Sequence, residues 1–162
     1  MQLSWNYNYG MFSKVLVKDI YDSKMTLLDH PEEVAHDPFV VFSSALWFYM
    51  TPQSPKPSMH EIATGFMEPT QADRRAGIQA GFGATINIIN GAYECGGRTE
   101  KAGALNRIKY YKAFLNHFHL PEGEAGLGCA GQHAFPTGGY GDVVGYFSKG
   151  WSHTPSCTPV KW

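Results

Sequence analysis

Three groups of residues could carry chemistry in this chain. Asn87, Asn90 and Glu94 stand at i, i+3 and i+7, on one helix face if a helix persists past Gly91. An acid beside two amides suits an amide-bearing ligand, and the same residues would equally cap a helix end. Arg107, in the neighbouring helical segment, could pair with Glu94; such a pair matters mainly inside a cleft, because exposed pairs stabilise little. At the start of the chain, Gln2, Ser4, Tyr7 and Asn8 gather amides and hydroxyls that both donate and accept, as a neutral, hydroxyl-rich ligand requires. They could instead brace an irregular backbone. Trp5, Trp47 and Tyr49 offer flat faces with polar rims for stacking on a sugar or base, although Trp47 also reads as core.

Other chemistries find little support. Of seven histidines only His117 and His119 resemble a metal pair, and i, i+2 side chains on a helix point apart, so no metal or cofactor is expected. No glycine-rich loop follows a strand and opens a helix. No Ser/His/Asp or Cys/His arrangement stands out. Cys95, Cys129 and Cys157 permit one disulfide with a leftover thiol, or none.

The frame around these groups is a chain of 162 residues, one domain or a large piece of one. A formal net charge of -1 argues against a partner held by bulk charge, whether nucleic acid or anionic membrane. Charged residues make up 17%, against roughly 25% in an average soluble domain. Aromatic residues reach 14%, so the surface should be polar, uncharged and ring-rich. No apolar run approaches the length of about 18 residues needed to span a bilayer. The opening Met1-Gln2-Leu3-Ser4-Trp5 has neither the basic nor the apolar segment of a signal peptide.

The elements that must position these groups are helical. Residues 2–10 alternate aromatic and amide side chains and read as irregular or extended, with a short helix over 12–20. Asp37-Pro38 reads as N-cap and first helical residue of a segment to about Met50, apolar nearly all round and so expected to be buried, and Thr51-Pro52 stops it. Ser58-x-x-Glu61 and Thr70-x-x-Asp73 each place a cap and an N3 acid at the start of a short helix. A compact apolar helix over 84–90 is expected to end at Gly91. Leu105, Ile108, Tyr111, Leu115 and Phe118 recur at helical steps within a helix over 99–118. Beyond Pro121 glycine dominates and no period survives. The fold class is mainly α.

Four stretches carry a resemblance. Gln2-Leu3-Ser4-Trp5-Asn6-Tyr7-Asn8-Tyr9-Gly10 is similar to the substrate-cleft signature of family 19 chitinases. So are Ala45-Leu46-Trp47-Phe48-Tyr49-Met50-Thr51-Pro52-Gln53, with Lys56-Pro57-Ser58, and the run from Phe82 to Gly91 followed by Glu94-Cys95-Gly96. Arg107-Ile108-x-Tyr110-Tyr111 is the fourth. They occur in family order and span roughly residues 1–135, leaving 136–162 as a Gly/Pro-rich tail of unknown role.

The resemblance implies a lysozyme-like helical fold, here the second part of a two-lobed domain. It implies inverting hydrolysis of β-1,4-linked N-acetylglucosamine in chitin, by an acid and a base carboxylate ~6.5–9.5 Å apart. By the same resemblance Ser4 positions the attacking water, Gln2, Tyr7, Asn8 and Asn90 bind sugar, and Glu94 and Arg107 are a supporting charged pair; Trp47, by its flat ring, is expected to bind sugar with them. It implies a Cys95–Cys129 disulfide, a secreted and extracellular setting, and chitin or chito-oligosaccharides as partner, with no nucleic acid or membrane and a monomeric state. The two catalytic glutamates of the family precede the Gln-Leu-Ser-Trp segment and have no counterpart here. The expectation is therefore a truncated chain, its signal peptide lost with the missing half, that hydrolyses chitin oligomers negligibly alone. The rival expectations are a non-catalytic chitin-binding protein that kept one cleft wall, and a fragment that does not fold stably.

Overall fold

In a computed structural model of the chain, residues 3–16, 26–123 and 126–143 are described. Among them the only regular elements longer than an isolated bridge are helices: α1 (Asn6–Leu16), α2 (Glu33–His36), α3 (Pro38–Met50), α4 (Met59–Ala63), α5 (Gln71–Arg75), α6 (Phe82–Glu94), α7 (Ala102–His117) and α8 (Tyr140–Val143). They fall into two units that divide after Thr51.

In the first unit, residues 1–51, the aromatic–amide segment is not extended. Trp5 adopts a left-handed backbone and the chain turns directly into α1 at Asn6. The Asn8 side-chain amide donates to the Ser4 carbonyl at 2.7 Å, closing the first turn. Phe12, wholly buried, centres a core with Leu3, Leu27 and Val40, against which Tyr9, Val34, Trp47 and Phe48 pack. The Leu27 amide donates to Ser13 Oγ at 2.7 Å. Asp37 caps α3 through Oδ1, which accepts from the Phe39 and Val40 amides, and Pro38 follows as the pattern requires.

One expectation fails in α3. The helix is apolar nearly all round, yet Val40 and Ser44 are its only buried residues, while Phe39, Phe42, Leu46 and Met50 are exposed. Apolar composition on every face is a statement about what a helix can bury, and this unit supplies cover for one side only.

The second unit, residues 52–162, is framed by caps. Both expected capping boxes form, at Ser58/Glu61 and Thr70/Asp73. Gly65 and Gly77 follow α4 and α5 with positive φ, the conformation that ends a helix most easily at glycine. α6 does not stop at Gly91 but bends at Asn90 (φ -151°, ψ 31°) and runs on to Glu94. Glycine is needed at 91 for closeness rather than termination, since a Cβ there would lie 2.1 Å from Asn87 Oδ1. The helix expected over 99–118 occupies the narrower span of α7. A disulfide joins Cys95 to Cys129, and these two pack with Ile86 and Ala104 into the core of this unit. Phe82 stacks on Tyr111 at a ring separation of 4.1 Å. Of the residues expected as a tail, 136–143 carry α8 and bond to the second unit; Cys157 lies outside the described residues.

Candidate active-site wall

In the second unit, the bend at Asn90 and the last turn of α6 bring two of the three suspected ligand groups together. Asn90 Nδ2 donates to Glu94 Oε1 at 2.7 Å. From α7, Arg107 grips the same carboxylate as a fork: Nε donates to Oε2 at 2.8 Å and Nη2 to Oε1 at 2.9 Å. Two parallel bonds between planar groups are the strongest form of ion pair, and Glu94 is buried while Arg107 is partly open. The guanidinium bonds, with help from the Asn90 amide, hold Glu94 below the ordinary carboxylate range against the opposing pull of burial. Glu94 in return raises Arg107. The acid is therefore ionised with both oxygens engaged. It can stabilise positive charge or fix neighbouring donors, but it has no proton to give.

The stem of Glu94 is fixed from a further side. Gly103 on α7 faces it so closely that a Cβ there would lie 3.0 Å from Glu94 Cδ. The third suspect, Asn87, is employed elsewhere: it is buried and its amide donates to the His133 carbonyl at 2.7 Å and to Gln132 Oε1 at 3.3 Å. It ties α6 to the 132–133 segment, so the three residues do not share one ligand face.

The first unit carries the remaining suspects. Ser4, Trp5 and Tyr7 are exposed at the start of α1, Trp5 at 77% of its full surface, while Asn8 beside them is buried. Trp47 is half-buried, its ring 5.6 Å from that of Phe12, so it belongs to the core as well as to any stacking surface. Its indole Nε1 is buried with no hydrogen-bond partner among the described residues. Gln2 lies outside the described residues.

Three residues that position this region gave no signal as such in the sequence. Lys56 is drawn inward so that Nζ donates to the Ile88 carbonyl at 3.0 Å, and burial lowers its pKa. Glu100 accepts from the amides of Cys129 (3.1 Å) and Ala130 (2.7 Å), hanging the disulfide loop on one carboxylate. Lys101 Nζ donates to the Tyr93 and Cys95 carbonyls, closing the end of α6. Each reaches backbone groups distant in sequence or beyond a turn, which no spacing rule foretells. Among the described residues no cluster of three or more His, Cys, Asp or Glu could hold a metal ion, and no helix is long and apolar enough to cross a membrane.

An acid, an arginine and an amide are thus locked together across two helices. Residues 1–129 match the family model for chitinase class I, and the chain belongs to that family, glycoside hydrolase family 19. An endochitinase of Brassica napus is 44% identical over 135 residues, 83% of this chain and 39% of the relative. Basic endochitinase B of Arabidopsis thaliana is 42% identical over 138 residues, 85% of this chain and 38% of the relative. A crystal structure of a chitinase C mutant superimposes with a TM-score of 0.59 at 30% identity, over 79% of this chain and 51% of that one. The mainly helical architecture is thus the lysozyme-like chitinase fold. The chain spans well under half the length of the curated relatives it matches.

Proposed function

We propose that this chain forms one wall of a cleft for β-1,4-linked N-acetylglucosamine in an inverting endochitinase, whose acid and base glutamates lie on polypeptide outside the region matched here. The observation that carries this reading is the state of Glu94. A carboxylate gripped by Arg107 and Asn90 and held ionised fits a supporting charge, not a general acid. Glu61, Asp73, Glu100 and Asp142 each accept hydrogen bonds that hold a helix start or loop.

In this reading Asn90 contributes sugar binding on the second unit. Ser4 orients the water, and Gln2, Tyr7, Asn8 and Trp47 bind sugar on the first. Residues 1–135 are the catalytic-domain portion, and 136–162 extend it. The partner is chitin or chito-oligosaccharide, bound by a monomer without cofactor. The Cys95–Cys129 bond supports a secreted protein, since disulfides persist in oxidising compartments.

Incubating the purified chain with chitohexaose is expected to give binding without measurable hydrolysis. Turnover that disappears in Glu94→Gln would overturn the assignment. A second reading, a chitin-binding protein without catalysis, is favoured by the same engagement of its carboxylates. Retention on chitin beads that persists without any gain of turnover when the remaining portion of a relative's domain is added would select it.

A further inference from the structure

Residues 138–143 lie beyond the family match, yet they are fastened to the second unit at both ends and in the middle. Thr70 Oγ1 donates to the Gly138 carbonyl at 3.3 Å. The Tyr140 amide donates to Asp73 Oδ2 at 2.8 Å, and its hydroxyl donates to Glu61 Oε1 at 3.4 Å. The two capping-box acids therefore serve twice, once for their own helices and once for this segment. Asp142 takes Ser54 Oγ at 3.0 Å and the Gly138 amide at 2.9 Å. Between these ties Gly141 lies directly on the loop below: a Cβ there would stand 2.4 Å from the Pro55 carbonyl oxygen and 2.5 Å from Pro57 N.

The loop so pressed is short and closed on itself, with the Gln53 and Lys56 amides each donating to the other's carbonyl, at 2.9 and 2.7 Å. Its outgoing contact is the half-buried Lys56 ammonium on the Ile88 carbonyl, two residues before the bend at Asn90. A side chain that engages the helix ladder is a recognised cause of a bend. At the bend itself the Asn90 side-chain amide donates to Glu94 Oε1.

We propose that residues 138–143 are a strap that positions the acid clasp through Lys56. By pressing on residues 54–57 the strap holds the ammonium on Ile88, and that contact keeps α6 bent where Asn90 must meet Glu94. Lys56 is then a positioning residue for the site, and the strap is its support. The consequence for the ligand rests on the reading above, that Asn90 and Glu94 line the sugar site.

Isotope-labelled full chain tests this through the Asn90 side-chain amide and Arg107 Nε–H resonances, with chitohexaose affinity measured alongside. Lys56→Met keeps the stem and removes the donor. It should shift both resonances and weaken chitohexaose binding roughly tenfold, the scale of one charged hydrogen bond. Lys56→Arg should restore most of both. Asp142→Ala, which touches neither α6 nor the sugar site, should shift the same resonances by a smaller amount, while Lys112→Met on the outer face of α7 should not. Unmoved resonances in a Lys56→Met protein that keeps its near-ultraviolet circular dichroism overturn the proposal. So do resonances that move with Lys56→Met but not with Asp142→Ala. If the unsubstituted chain fails to bind chitohexaose, the ligand assignment falls alone, because the resonances decide the strap without it.

Discussion

The two units solve the same problem by different means. The first is organised by apolar burial around Phe12, and its polar ties are few among the described residues: a cap at Asp37, the first turn of α1, and Ser13 under Leu27, the one of these that reaches beyond its own helix start. The second is held by bonds between groups far apart in sequence: the Cys95–Cys129 disulfide, the Glu94–Arg107 fork, Glu100 on the loop beyond, and Asp73 on Tyr140. Directional bonds define positions to a fraction of an ångström, whereas apolar contact defines mainly proximity. The charged chemistry sits in the unit where directional bonds are dense, while exposed aromatic residues occur in both.

If that contrast is real, breaking covalent and ionic ties should damage the second unit selectively. Reducing the disulfide opens a loop with a sequence separation of 34. On the chain-entropy account this should remove roughly 3–4 kcal/mol from the second unit. Hydrogen exchange should show faster opening of α6 and α7 amides with α1 and α3 little changed; equal acceleration in both units would dissolve the comparison.

A smaller effect is expected from Arg107→Leu, which strands a buried carboxylate. The loss should be about 1–3 kcal/mol by denaturant titration, below the range for fully buried pairs because Arg107 is 38% exposed. The variant should also lose an acid dependence. Glu94 titrates lower in the folded protein than in the unfolded chain, so its stabilising contribution is complete above the ordinary carboxylate value of about 4.3. It disappears as pH falls through the lower, folded value. Stability curves of the two proteins should therefore converge toward low pH; parallel curves would show that the pair is not the source.

The smallest change is expected at Phe42, exposed on α3. Phe42→Ser should alter stability by about 0.5 kcal/mol or less, as at most surface positions. A loss several times larger would mean that this ring is covered in solution, and the first unit would be more completely packed than described.

What was legible in the sequence divides along similar lines. Both capping boxes and the Asp37-Pro38 start follow from local rules, because each depends on residue types at short spacing, whereas the Glu94–Arg107 pair follows from opposite charges on neighbouring helical segments. The Cys95–Cys129 pairing came only from family resemblance. The start of α1 is not legible because alternation of Tyr and Asn mimics a strand, while the deciding events, a left-handed Trp5 and Asn8 folding back on Ser4, follow from no residue-type pattern. Gly91 reads as a terminator, whereas its missing side chain makes room for Asn87. Apolarity around α3 said what could be buried, not what is. Lys56 and Glu100 were opaque because their partners are carbonyls and amides, which every residue owns.

Gly103 carries a last lesson. The empty face it presents to Glu94 forms a mould, leaving the acid's stem no room to lean toward α7. The orientation of a charged group is thereby written into an atom that is not there. An alanine at 103 would press the carboxylate aside by a few tenths of an ångström without removing any of its partners, so its aim depends on a position that contributes no chemistry of its own.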